Sequence, residues 1–417
     1  MHIVLSGYFG FDNVGDEAIL FSIIRALRKL EPTVEITVLS NNPAETAATY
    51  GVNTVNRWNI GEIRSAFKKA DGLISGGGSL MQDATSSKTV PYYAGIIKLA
   101  QMAKVPVFIY SQGMGPINGK LGKWLVKSVF NKSAGITVRD EASYALLREI
   151  GVRLPVTVVP DPVVGLGGKE FTSPWLDEWL KTQFKADAEQ TELEQEDVDG
   201  LTPSGTANVS ETLVYTDALA TDTMNSKDDD GTDDILISVT PPTYITVSVR
   251  DWPSEFDFKK KIAESLDIIA ARELHVVFIP MHGEHDVKAS NDVAALMQST
   301  STIAPGDLSI EEKIAVIGGS KLLIGQRLHS LIFASIEHIP FIALSYDPKI
   351  DAFANIAQQP VAGHVEKDDW TGQTLASLAF DILDDYEAKV TALIDIITPM
   401  QTAAENTAQM ALDAFTK

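Results

Sequence analysis

Short apolar runs that stop at glycine recur along this chain, and most are followed by residues with helical spacing. His2-Ile3-Val4-Leu5-Ser6 ends at Gly7, and Gly72-Leu73-Ile74-Ser75 ends at Gly76-Gly77-Gly78. A strand over 107–110 precedes Gly113-Met114-Gly115-Pro116, and Leu322-Leu323-Ile324 runs into Gly325. Strand, glycine turn, helix, repeated, is the signature of a parallel α/β sheet. The first helix is expected over 16–30, with apolar positions at Ile19, Leu20, Ile23, Ile24 and Leu27, and Pro32 stops it. Strands at 35–39, 135–138 and 156–159 and a helix at 92–104 extend the series. Alternation resumes further on with strands at 245–249 and 275–279 and helices at 256–271 and 286–297. The last strand is expected at 341–345, and a helical tail from about residue 370, broken at Pro399, is expected to pack on the first domain.

Two such series in 417 residues suit two domains of ordinary size. They define an α/β protein of two parallel-sheet units with a cleft between the carboxyl ends of the sheets, where ligands of open α/β sheets bind. The divisions are 1–175, 176–234, 235–385 and 386–417. The second carries a composition break: residues 186–234 hold 15 Asp/Glu and one Lys, which is most of the chain's net −22. That stretch buries too little apolar surface to offset its ordering entropy, so a mobile linker is expected, with a short acidic helix at 187–197 as the alternative. A chain this acidic repels nucleic acid and anionic lipid, although the charge is not evenly spread. The absence of cysteine removes disulfides and thiolate chemistry. With no secretion signal and no apolar run of about 20 residues, a cytoplasmic protein is expected, with at most peripheral contact at the inner face of the membrane.

Polar residues gather at the strand ends. Asn13, Gly15 and Asp16 sit where the first strand hands over to its helix. There Asp16 either caps the helix at the positive end of its dipole or faces a ligand. Gly77 and Gly78 belong to the same edge, but no spacing matches G-x-G-x-x-G or a P-loop. Arg139 follows the strand at 135–138 and is either an anion clamp or an ion-pair partner of Asp140 or Glu141. Arg327 and His329 lie at a strand-to-helix junction, within reach of an anion at the helix N-terminus, although a histidine packed beneath the helix reads the same way. Lys349 and Arg250 end two further strands. His282, Glu284, His285 and Asp286 could be read as a metal cluster, but no third ligand set accompanies them, so no metal is expected.

The motifs GYFGFDNVGDEAIL, LISGGGSLMQD, SQGMGP, VRDEAS, VVPDPV, IGQRLHSLIFA and LSYDPKIDAF together resemble the polysaccharide pyruvyl transferase family. Within it they most resemble the bacterial type that pyruvylates the secondary cell-wall polymer holding S-layer proteins. The resemblance runs through residues 1–170 and 236–355. It implies a GT-B-like α/β fold of two Rossmann-like domains with an interdomain cleft, phosphoenolpyruvate as co-substrate, no cofactor, and a 4,6-ketal of pyruvate on a sugar, usually N-acetylmannosamine of a lipid-linked precursor. By the same resemblance the Arg-Leu-His motif falls on Arg327, Leu328 and His329, and other donor-site cations fall on Arg139 and Lys349; Arg250, from its place at a strand end alone, is a further donor-side candidate. His329 is then the expected general acid and Asp16 the expected base, with Asn13, Gly15, Gly77 and Gly78 on the acceptor side. The alternatives are a nucleotide-sugar glycosyltransferase and a non-catalytic cell-wall-polymer binding protein.

Overall fold

A computed structural model describes residues 1–84, 86–167, 170–183 and 243–416. The acidic stretch 186–234, with its alternative helix at 187–197, lies outside the described residues. The chain divides into a main unit, 1–174 with 243–417, and a second unit, 175–242. Of the second unit, the described residues 175–183 are helical, and Trp175 stacks on Trp179 with ring centroids 6.2 Å apart.

The main unit contains two parallel sheets. The first comprises β1 (His2–Ser6), β2 (Glu35–Ser40), β3 (Asn53–Asn56), β4 (Gly72–Gly76), β5 (Val107–Gln112), β6 (Gly135–Val138) and β7 (Thr157–Val158), in the order β3-β2-β1-β4-β5-β6-β7. The second comprises β8 (Tyr244–Ser248), β9 (His275–Phe278), β10 (Thr302–Ile303), β11 (Leu323–Gly325), β12 (Phe341–Ser345) and β13 (Val361–His364), in the order β10-β9-β8-β11-β12-β13. In both, strand order reverses beside the first strand of the series. Leu5 of β1 faces Val38 on one side and Ile74 on the other, and Val247 of β8 faces Phe278 and Ile324. That reversal opens a crevice at the carboxyl ends of β1 and β4, and again at β8 and β11.

The strands are apolar along their length because helices cover both faces of each sheet. Each sheet has its own core, with Leu73, Ile109, Phe130 and Val138 in the first and Val247, Phe258, Ile324 and Leu344 in the second. Helix Val14–Leu30 is capped by Asn13, whose Oδ1 accepts from Gly15 N–H at 3.1 Å. Asp16 and Glu17 in its first turn and Arg28 and Lys29 in its last complement the dipole. Helix Leu328–Ile336 is apolar nearly all round and correspondingly buried.

Three expectations need correction. Phe341–Ser345 is not the last strand, because β13 follows it on the sheet edge. Pro399 does not break the tail: one helix spans Tyr386–Phe415. Leu393 and Ile397 before the proline, and Ala404, Ala408 and Leu412 after it, are all buried, so packing outweighs the lost hydrogen bond. His285 is not on a loop but in the first turn of helix Gly283–Ala294, with His282 at its N-cap. Among the described residues, no helix is long and apolar enough to cross a membrane.

Candidate active site

The helices that follow β1 and β11 meet at their first turns. Gly15 lies against the ring of His329, so closely that a methyl group on Gly15 would stand 2.2 Å from Nδ1. Glycine is therefore required here for close approach and not for an unusual backbone angle. Beside it, Gly78 has φ +70, and a methyl group there would stand 2.7 Å from Asp16 Oδ1. Gly15 thus admits the His329 ring and Gly78 the Asp16 carboxyl, and both groups feel the charges of Arg139, Asp161 and Lys349.

Burial pushes the Asp16 carboxyl up to about 7, and the charges of Glu17 and Asp161 add to the rise, while Arg139 and Lys349 oppose it. Burial pushes His329 down to about 4; Asp161 resists, and Arg139 and Lys349 favour the neutral ring. His329 Nε2 is enclosed and has no hydrogen-bond partner among the described residues. At neutral pH the pair thus combines a carboxyl poised near its midpoint with an uncharged imidazole.

Two cations face this pair. Arg139 is held by weak or single contacts: Nη1 lies 3.5 Å from Asp161 Oδ2, Nε lies 3.6 Å from Asp140, and Nη2 donates to Ser79 Oγ at 2.9 Å. Lys349 lies 3.2 Å from Asp347, which caps helix Pro348–Ile356 by accepting from the Lys349 N–H. A cleft of about 70 Å³ is lined by Arg139, Asp161, Leu328, Ile332, Lys349 and Phe353 among others.

The structure therefore brings together Asp16, Arg139, Leu328, His329 and Lys349, with Asn13, Gly15, Gly77 and Gly78 around Asp16. Arg327 points elsewhere, toward Asp286. Its Nε donates to Oδ2 at 3.0 Å and its Nη2 donates to Oδ1, a bidentate grip on a carboxylate that is 1% exposed. Arg250 lies over Trp252 and Tyr346, at 5.0 and 4.5 Å from their ring centroids. These two arginines and Asp286 surround His282, whose pKa is lowered by burial first and then by Arg327. No group of three metal-binding side chains occurs among the described residues.

Two site residues carry weaker sequence signals. Asp161 is 7% exposed, caps the short turn Pro162–Gly165 and acts electrostatically on both Asp16 and His329. Its signal was an acidic residue between two prolines just past a strand. Arg57 is buried against Phe11, Trp58, Tyr92 and Tyr93 and donates to Gly7 O at 3.0 Å, which braces the loop after β1. Nothing local to Arg57 announces it.

The sequence model described as polysaccharide pyruvyl transferase matches residues 13–348, from the cap of the first helix to the start of the helix bearing Lys349. The chain belongs to the polysaccharide pyruvyl transferase family. The match includes Asp16, Arg139, Asp161 and His329 and stops one residue short of Lys349. No curated protein matches the chain. Among solved structures, the UDP-GlcNAc 2-epimerase of Neisseria meningitidis bound to UDP-GlcNAc is similar at TM-score 0.56 and 12% identity, covering 100% of both chains. HepE of Anabaena in complex with UDP-glucose gives 0.57 and 10%, covering 100% of this chain and 99% of that one. A glycosyltransferase of Rickettsia africae gives 0.54 and 13%, covering 99% and 98%. At such identities these likenesses concern the fold, which is GT-B.

Proposed function

We propose that the protein transfers the pyruvyl unit of phosphoenolpyruvate to a sugar, forming a 4,6-ketal and releasing phosphate. The proposed acceptor is N-acetylmannosamine of a lipid-linked secondary cell-wall polymer precursor, handled at the inner face of the membrane. The observation that carries the reading is the neutral, unpartnered His329 Nε2 beside two cations and a carboxyl poised near 7. Family membership supports the transfer.

In this scheme Arg139 and Lys349 take the donor phosphate and carboxylate. Arg327, fixed by Asp286 through Nε and Nη2, braces the neighbouring turn and is given no donor contact. Burial first, and Arg139 and Lys349 after it, keep His329 neutral; the donor's negative charge offsets the cations and draws a proton onto the ring as it binds. His329 delivers that proton to C3 of the enol, leaving an oxocarbenium-like C2. One sugar hydroxyl attacks C2 and passes its proton to the Asp16 carboxylate. The second hydroxyl then displaces phosphate from C2; the C–O bond breaks, and phosphate leaves with the electron pair and takes that hydroxyl's proton.

The test is phosphate release from phosphoenolpyruvate with candidate acceptors, alongside donor titration calorimetry in buffers of different ionisation enthalpy. Proton uptake on donor binding at pH 7 is expected, and its absence overturns the role given to His329. The second reading, a nucleotide-sugar glycosyltransferase, draws on the UDP-sugar complexes among the structural neighbours. Thermal stabilisation by UDP-sugars and not by phosphoenolpyruvate would decide for it. Asp16→Asn should lower turnover while leaving donor affinity in place; lost donor binding would move Asp16 to the donor side.

A further inference from the structure

We propose that helices Thr89–Met102 and Lys120–Phe130 form a face that docks the protein on an anionic lipid surface. Among the described residues, the three most exposed large apolar side chains are Met102 at 67%, Leu121 at 64% and Trp124 at 62%. All three belong to these two helices. The helices are neighbours, since Gln101 Nε2 donates to Val129 O at 2.8 Å, and a methyl group on Gly122 would lie 3.7 Å from Val90. The two helices therefore run in the same direction: Leu121 and Trp124, one turn apart, share a face of the second helix, and Met102 lies toward the other end of the pair.

Charge identifies the occupant. The chain carries −22 overall, yet residues 120–132 hold Lys120, Lys123, Lys127 and Lys132 and no acid. Lys98 and Lys104 extend the basic character on the neighbouring helix and its end, and Lys98, Lys104, Lys120, Lys127 and Lys132 are all exposed. Two nearby carboxylates are already engaged. Asp83 accepts from the N–H groups of Asn118 and Gly119, and Glu149 pairs with Lys123 at 2.8 Å. A cationic helix face that also presents tryptophan and leucine matches the boundary between headgroups and acyl chains. A nucleic acid would use the lysines but leave Leu121 without a partner. The face also follows the site in sequence: a methyl group on Gly113 would stand 2.7 Å from Arg139 Nε, and the segment from Gly113 to Gly119 leads into Lys120. Docking here would bring the cleft rim close to the bilayer. The inference rests on this surface alone and does not depend on the chemistry proposed above.

The test is co-sedimentation of the full chain with vesicles of phosphatidylcholine, with and without phosphatidylglycerol, at low and high salt. Binding to the anionic vesicles, reversed by salt, is expected. Replacing Lys120, Lys127 and Lys132 by Gln should weaken partition roughly a hundredfold. Leu121→Gln with Trp124→Gln should weaken it further while retention on heparin stays unchanged. Both variants should melt like the parent and retain phosphate release on a water-soluble acceptor, if the parent shows it. The proposal is overturned by no binding to anionic vesicles at low salt, by unchanged binding in both variants, or by the lysine variant alone losing affinity for vesicles and heparin equally.

Discussion

Arg139 and Arg327 hold comparable places, each just past a strand and at the start of a helix, but they are held very differently. Arg139 has one good hydrogen bond, to a serine hydroxyl, and carboxylates at 3.5 and 3.6 Å. Arg327 is clamped in a bidentate pair with a carboxylate that also accepts from Met281 N–H at 3.1 Å. A guanidinium whose donors are only loosely engaged can turn them to an incoming anion. One matched to a buried carboxylate is a fixed charge and part of the fold. Two arginines of one motif set thus divide between a site kept ready for a ligand and a strut beside it.

The strongest challenge to that division lies at His329, which stands on the ligand-ready side. General acid catalysis contributes ~10²–10⁴-fold in rate. His329→Gln, which keeps a hydrogen-bonding side chain but cannot deliver a proton near neutral pH, should lower kcat by that range with the melting temperature unchanged. Near-normal phosphate release in this variant would mean that the proton comes from elsewhere.

The fold was largely legible because strand, glycine turn and helix repeat over short sequence distances, and every strand expected from them exists within a residue or two. The division between Arg327 and His329 was not legible. Two residues apart at a helix start, their side chains leave in different directions. One finds Asp286 from 41 positions upstream and the other finds Gly15 from the opposite sheet. Asp286 had looked like part of a metal cluster because sequence distance says nothing about which cation folds onto it. Asp161 and Arg57 were missed for the same reason: most of their partners come from turns and helices distant in sequence.

The second prediction separates the two arginines by stability. Arg327→Ala leaves Asp286, 1% exposed, without its partner, and breaking a buried pair costs about 3–5 kcal/mol. Arg327 is itself 19% exposed at its side chain and Asp286 keeps the Met281 amide, so about 2–3 kcal/mol is expected by chemical denaturation. Arg139 is more buried, at 12% of its side chain, but its carboxylates stand 3.5 and 3.6 Å away, so Arg139→Ala should cost less, about 1–2 kcal/mol, and also weaken donor binding. Equal destabilisation by the two changes would erase the comparison.

A smaller effect is expected at Gly15. Alanine favours a helix over glycine by about 1 kcal/mol, yet here its methyl group would meet the His329 ring. Gly15→Ala should therefore destabilise by about 1–2 kcal/mol, the overpacking exceeding the propensity gain, while lowering kcat/KM on the order of tenfold or more, since the ring must move. Full activity in this variant would mean that the position of His329 is not critical.

The smallest effect concerns Asp16 and has a definite sign. Its carboxyl sits near 7 in the folded protein and near 3.8 when unfolded, so the folded state binds more proton between those values. Stability from this group is therefore fully present below about pH 4 and is lost as pH rises through about 7. Asp16→Asn cannot ionise and should escape that loss. It should be more stable than the parent at pH 8 by about 1–2 kcal/mol, less than the ~1.4 kcal/mol per pKa unit would give for a group shut off from water, and the advantage should shrink toward pH 5. Thermal melts of the two proteins across this range measure it directly. An advantage that grows as the pH falls would show that the Asp16 carboxylate is stabilised by Arg139 and Lys349 more than burial disfavours it, and would place Asp16 among charges already paired, as Asp286 is with Arg327.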